Sequence, residues 1–344
     1  MTNAEYGQPI FLKPVLMEKV WGGDRIAKFG PSKRGEPGKI IGESWELVDR
    51  PEAQSIVVGG PWNGKSLRTL MEEDAILLLG PDFAAAKPAR FPLLCKYVDA
   101  GSALSVQVHP DDIGAKAFND RGKSECWIVV HAEPDSKIIR GLRPGTTRAQ
   151  YEKAVADEKV EDVLSSFTPK VGDVLALPPG TVHAIGAGIL VAEIQQNSDL
   201  TLRIYDYHRV GLDGKPRPLH VKEALEAVRF GEPGCEFTGD MRANTVTPLK
   251  EHKDGPLLTQ KMFQGKYFDL TRYTLQAGGT FELPANPDAP RVLMCVAGGG
   301  ELAGRALENG QTVLVPACAP PISVKSTATN ELVLLYSTPT LAAC

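Results

Sequence analysis

The sequence predicts a mainly β protein, two β-sandwich or jelly-roll domains with a few helices. Three observations predict it. Short apolar segments bounded by Gly, Pro, Asn or Asp recur along the chain, helical periodicity is scarce, and the sequence carries a weak internal echo. In that echo Gly172 is followed six positions later by Pro178, and Gly310 six positions later by Pro316. A chain of 344 residues is long enough for two domains, each with its own buried core.

The elements follow in order. Met1 to Tyr6 has neither a basic region nor an apolar core, so no signal peptide is expected, and the stretch from Ile10 to Val20 is interrupted by Lys13, Pro14, Glu18 and Lys19. A helical pattern spans Leu67 to Leu79. Strands are expected at Leu93 to Val98, Leu104 to Val108, Cys126 to Val130, Val174 to Leu177, Ile189 to Ile194 and Leu200 to Tyr205. Thr147 to Ser166 reads as an amphipathic helix packed at the side, and Val221 to Val228 as a short helix. Gly231 to Pro256, richer in Gly, Pro and charge, reads as a linker or extended arm. Strands resume at Phe268 to Leu275, Val292 to Val296, Gln311 to Val315 and Leu332 to Tyr336. The expected division falls near residue 245, giving a domain 1–245 that carries the chemistry and a domain 246–344.

Composition narrows the function. Hydrophobic residues make up 42% and charged residues 23%, with a net charge of −4, the profile of an ordered globular protein. No basic run marks a nucleic-acid partner and no apolar run of about 18 residues marks a membrane span. Cys95, Cys126, Cys235, Cys295, Cys318 and Cys344 are widely spaced without a C-x-x-C pair, which suits reduced thiols in the cytoplasm. Nothing in the sequence is a signature of oligomeric state.

The densest polar signal runs from Leu104 to Asp112. On a strand Gln107 and His109 point one way while Val106 and Val108 point the other. A second strand beginning near Lys123 places Glu125 on the face of Trp127 and Val129. A third element, Gly172 to His183, is a strand, a Pro-Gly turn and a histidine, and it fits G-x5-P-x-G-x2-H at every specified position. This spacing matches the cupins. Two departures stand out: Gln107 replaces the first His of the usual pair, and Ala187 replaces the Asn often found four residues after the last His. The set Gln107, His109, Glu125 and His183 offers two nitrogens and two oxygens. It suits Zn²⁺ with an open position, and Mn²⁺, Fe²⁺ or Co²⁺ would also fit. Both domains are therefore expected to be cupin-like. The second copy has no His after Pro316 and should bind no metal. His131, His208, His220 and His252 read as structural.

At Phe11 to Leu16 with Lys19 to Gly23, Ile41 to Leu47, Leu104 to Asp112, Gly122 to Trp127, Pro179 to Gly186, and Gln195 to Asp199 with Leu202 to Tyr207, the chain resembles the short bacterial type I mannose-6-phosphate isomerases. The resemblance covers essentially the full length and is weakest from about residue 256. It implies zinc-dependent interconversion of mannose 6-phosphate and fructose 6-phosphate, with the family's metal pattern on the same four residues. It also implies an active-site Arg at Arg203 and Lys at Lys123.

An aldose and its ketose differ by protons moved between C1 and C2 and between their oxygens, so the site needs an acid/base and a holder of enediolate charge. Arg203 suits the enediolate or the phosphate; the alternative is an ion pair with Asp199 or Asp206. Lys123 suits charge at O1 or O2, or the phosphate, and Lys96 is a further phosphate candidate. Asp199, Lys123, Glu125 and a water on the metal are all possible bases. Trp45 and Glu46 are expected to line the pocket or support it. The rival readings are another cupin metalloenzyme, such as an oxygenase, and a non-catalytic sugar-phosphate-binding cupin.

Overall fold

The structure is a computed structural model. It describes residues 6–344 except 31–32, 34, 37, 232–236, 239–240, 243–244 and 328, and gives backbone alone for 237–238 and 241–242. It is mainly β, with the strands stacked in layers.

The centre is a six-stranded antiparallel sheet ordered Val174–Leu177, Glu125–Ala132, Ile189–Gln196, Leu93–Ala100, Ile41–Leu47, Val15–Gly23. Both faces of this sheet are covered. Cys95, Tyr97, Cys126, Ile128, Ala192 and Ile194 pack with Met262, Phe268, Val292 and Leu314 of a nine-stranded sheet behind it. Val98, Trp127, Val129 and Val191 pack with Ile138 and Ile185 of a five-stranded sheet in front. Burial on both sides explains why several of these strands read as largely apolar runs rather than as an apolar–polar alternation. Each fully buried aliphatic or aromatic side chain contributes about 1.5–3 kcal/mol.

The five-stranded sheet runs Leu164–Phe167, Ile138–Leu142, His183–Ile185, Val106–Val108, Leu202–Tyr205. Its outer face is closed by the helices Arg148–Ala156 and Val221–Ala227 and the residues just after them, through Tyr151, Val160, Ala224 and Val228. The nine-stranded sheet packs its far face on a four-stranded one through Leu293, Val313, Leu334, Leu302 and Val324. The sequence echo has a backbone counterpart. Gly172 and Gly310 both hold positive φ, 90° and 83°, and each precedes a four-residue strand, Val174–Leu177 or Thr312–Val315, that is followed by Pro.

Four expectations change. Leu67–Leu79 is two helices, Leu67–Glu73 and Ala75–Leu79, because Asp74 leaves helical geometry at φ −132°, ψ 33°. The helix expected to reach Ser166 begins at Thr147, with a capping box to Gln150, and stops at Ala156. Glu158 turns left-handed at φ 58°, and Leu164–Phe167 pairs as a strand with Ile138–Leu142. The supposed linker contains Lys250–Asp254, which pairs with Leu257–Gly265; its five exposed residues, Lys-Glu-His-Lys-Asp, are those of a charged edge strand with no apolar alternation to reveal it. Finally, Ile10–Lys13 is hydrogen-bonded into the nine-stranded sheet, Ile10 opposite Leu314 and Phe11 opposite Val313. Residue 245 adjoins residues outside the description. A division of the chain near it is our proposal, with the first strand assigned to the second unit.

Candidate active site and metal centre

The pleat of the central sheet alternates polar and apolar layers. On its front face Lys96, Glu125 and Glu193 lie toward one end, and Val98, Val129 and Val191 toward the other. Register sets Lys96 opposite Glu193, Glu193 opposite Trp127, and Gln195 opposite Glu125. From the facing sheet Gln107 lies between His183 on one neighbouring strand and Arg203 on the other. His109 follows one residue after the strand Val106–Val108. His183 opens its own strand after the turn at Gly180. That turn needs glycine: φ is 86°, and a Cβ would lie 2.6 Å from Arg229 Cγ.

His109, Glu125 and His183 are buried, and their ligand atoms all lie within 4.8 Å of one another. His109 Nδ1 lies 2.7 Å from the Leu200 carbonyl and His183 Nδ1 lies 2.9 Å from the Thr181 carbonyl. A carbonyl only accepts, so both Nδ1 atoms carry the proton and both Nε2 atoms are bare. These bare nitrogens face Glu125 Oε1 at 3.7 and 3.3 Å, and that oxygen has no hydrogen-bond donor among the described residues. Two imidazole nitrogens and a carboxylate converging in a buried space form a donor set suited to a metal cation, with the Lys123 ammonium at its edge. Burial holds His183 down at about 4 and His109 well below its usual range, so the nitrogens stay bare at neutral pH. Gln107 Nε2 lies 3.3 Å from His183 Nε2 and its Oε1 accepts from Ser105 Oγ. A half-turn of the amide presents the oxygen to the cluster instead. The residues present therefore fit a divalent ion.

In front of the cluster lies a cleft of about 350 Å³. Lys19, Lys96, Lys123, Arg203 and Arg217 line it against Glu43, Glu193 and Asp199, five cations to three carboxylates. An anion is thus attracted locally although the chain as a whole is acidic. Lys123 Nζ lies 2.8 Å from Glu125 Oε2, 3.2 Å from His109 Nε2 and 3.7 Å from Glu193 Oε1. Burial alone would lower its pKa, but the Glu125 and Glu193 carboxylates hold it above the usual lysine value. Lys96 Nζ sits 3.3 Å from Asp199, 3.6 Å from Glu43 and 3.7 Å from Glu193, and these carboxylates likewise raise its pKa against burial. Glu193, 4% exposed and bonded by Trp127 Nε1 at 2.9 Å, is raised by burial, which outweighs Lys123. Burial and the neighbouring Arg217 lower Arg203.

Six expected residues line the cleft: Lys96, Gln107, Lys123, His183, Asp199 and Arg203. His109 and Glu125 close its floor through the contacts above. Trp45 and Glu46 do not line it. Trp45 is buried behind the wall, where its Nε1 donates to Glu43 Oε2 at 2.6 Å and Lys96 Nζ lies 4.9 Å from its ring. Glu46 points into the opposite layer, paired with buried Lys33 at 2.5 Å, because adjacent strand residues face opposite sides. The residue at the cleft is Glu43. Glu43, Glu193, Lys19, Arg217 and His220 are additions. Among them Glu193 had a sequence signal, a lone acid inside the apolar run Ile189–Ile194. His220 accepts from the Arg203 amide at 3.1 Å.

Glu43 offers a pH test. Burial would raise its carboxyl, but Lys96, Lys19 and the Trp45 indole overcome this and lower it from 4.5 to about 2. A depressed acid stabilises the fold above its unfolded pKa and loses that contribution as pH falls through the folded value. Glu43→Gln should therefore cost up to about 3 kcal/mol at pH 7, the difference from wild type shrinking between pH 4.5 and 2. Urea unfolding at a series of pH values reads this. A gap that stays constant would show that the carboxylate is not held by the two lysines.

The family model of the catalytic domain of phosphomannose isomerase type I matches residues 10–124. The mannose-6-phosphate isomerase ManA of Bacillus subtilis (strain 168) is 35% identical over 277 residues, 80% of this chain and 82% of its own. The mannose-6-phosphate isomerase of Streptococcus mutans serotype c is 33% identical over 316 residues, 90% of this chain and 92% of its own. The crystal structure of mannose 6-phosphate isomerase from Bacillus subtilis matches with a TM-score of 0.83 at 29% identity, covering 96% of this chain and 99% of that one.

Proposed function

This chain belongs to the type I mannose-6-phosphate isomerase family, and from that premise we infer that it interconverts mannose 6-phosphate and fructose 6-phosphate by proton transfer through an enediolate. The observation that carries the reading is the cleft itself: a buried acceptor cluster of His109, Glu125 and His183 opening into a cavity lined by more cations than carboxylates.

His109, Glu125, His183 and the Gln107 amide oxygen would hold the ion, for which we propose Zn²⁺; when bound it polarises the sugar's C1 and C2 oxygens and stabilises enediolate charge. Lys123 beside Glu125 and Arg203 beside Gln107 bring two further cations to that end of the cleft. They are placed to hold the oxyanion as it forms, Lys123 because its proton is retained against burial. Lys19, Lys96, Arg203 and Arg217, which line the same cleft, would receive the phosphate.

The proton carrier we favour is a cleft carboxylate. Lys96 and Lys123 are kept protonated, the two histidine lone pairs point at the cluster, Glu125 faces the same cluster, Glu43 is held as a carboxylate by Lys96 and Lys19, and Glu193 is buried between Lys96 and Lys123. Asp199, bonded by Lys96 at 3.3 Å, has a side chain 39% exposed and is the most accessible of the three carboxylates that line the cleft. We assign it the transfer between C1 and C2. The unpaired thiols of Cys95, Cys126 and Cys295 support a cytoplasmic setting.

The test is formation of fructose 6-phosphate from mannose 6-phosphate in a coupled assay, before and after chelation and Zn²⁺ return. Loss on chelation with recovery supports the reading. Folded, metal-loaded protein with no turnover would transfer it to another cupin chemistry or to binding alone.

A further inference from the structure

Lys123 lies between the turn Lys116–Phe118 and the strand Glu125–Ala132, in a loop whose amides are individually held. Gly122 N–H donates to Asp112 Oδ1 at 3.1 Å, Lys123 N–H to the Pro110 carbonyl at 3.1 Å, and Ser124 N–H to Gln196 Oε1 at 3.0 Å. Gln196 Nε2 in turn donates to the same Asp112 Oδ1 at 3.1 Å. Asp112 therefore ties the segment carrying His109 to the loop carrying Lys123. The two backbones touch: a Cβ on Gly122 would lie 2.5 Å from the Asp112 nitrogen.

The other oxygen of Asp112 is held from outside this unit. Tyr267, 1% exposed, stands between the strands Leu257–Gly265 and Phe268–Leu275 of the nine-stranded sheet and donates its hydroxyl to Asp112 Oδ2 at 2.7 Å. Lys266 Nζ donates to the same hydroxyl at 2.8 Å, which strengthens it as a donor. A second tie lies alongside, where the Arg121 guanidinium donates to the carbonyls of Ala343 and Cys344.

We infer that Tyr267 is a positioning residue for the isomerisation, acting through Asp112 on the loop that presents Lys123, and that this is what the C-terminal β unit contributes to the reaction. The inference rests on the function proposed above. The ring alone would suffice for packing. The hydroxyl is needed because Asp112 Oδ1 already serves two donors and a half-buried Oδ2 left without one would draw the carboxylate away from Gly122. Small displacements of a reacting group are costly in rate.

The experiment uses metal-loaded full-length protein. Tyr267→Phe should lower kcat roughly tenfold with KM within about twofold and the metal content unchanged. Asp112→Asn should lower kcat at least as much, and the double variant should be no slower than Asp112→Asn alone, since one acts through the other. If Asp112→Asn does not fold, the same cycle is run against Lys123→Arg. Wild-type kcat in Tyr267→Phe, losses that multiply, or a loss explained by missing metal or raised KM would each overturn the inference. Wild-type protein without turnover would instead remove the isomerase reading itself, so the two failures are distinguishable.

Discussion

Glu125→Gln should strip the protein of its ion and of its activity together, lowering kcat/KM by a factor on the order of 10³ or more. The reason is the composition of the cluster. Two bare imidazole nitrogens and one carboxylate converge within 4.8 Å, and Glu125 is the only one of the three that brings negative charge. An amide of the same shape removes that charge and can turn an N–H toward His183 Nε2, 3.3 Å from the present oxygen, satisfying by a hydrogen bond what the ion would otherwise satisfy. Metal analysis of the purified variant, with a Zn²⁺ titration, measures the effect. Near-stoichiometric metal and turnover within tenfold of wild type would refute the assignment of Glu125 as a ligand.

Asp199→Asn carries the second large effect. The amide keeps the size and can still accept from Lys96, but it cannot take a proton. We expect kcat to fall by roughly 10²–10⁴ with KM changed little, and the exchange of the substrate's transferred hydrogen with deuterated solvent to fall in parallel. Retention of more than a tenth of kcat would move the proton transfer to Glu193, the other cleft carboxylate between Lys96 and Lys123.

The layered β architecture and the metal cluster were legible because each rests on local spacing. The run from Gly172 to His183 states its own turn, and Gln107 with His109 states its own face. Glu46 was misassigned because Ile41–Leu47 is buried on both sides; without a polar face, alternation says that Glu43 and Glu46 point oppositely but not which one meets the cleft. Glu43, Lys19 and Arg217 were missed because they enter the site through cross-strand register and loop return, which no short motif records. The edge strand Lys250–Asp254 lacked the apolar pattern that marks a strand, and Thr147–Ser166 carried a helical pattern past the left-handed turn at Glu158.

The pairing of Ile10–Lys13 with Thr312–Val315 has a bearing on how the molecule comes into being. Its two partners emerge from the ribosome some 300 residues apart, roughly 15 to 60 s at about 5–20 residues per second. During that interval the first strand, with Ile10 and Phe11 destined for the interior, has no finished sheet to join. The strands that carry the cleft lie within residues 15–205, whereas the sheet behind them closes only after nearly the whole chain has been released, so its completion is a late, long-range step exposed to misassociation.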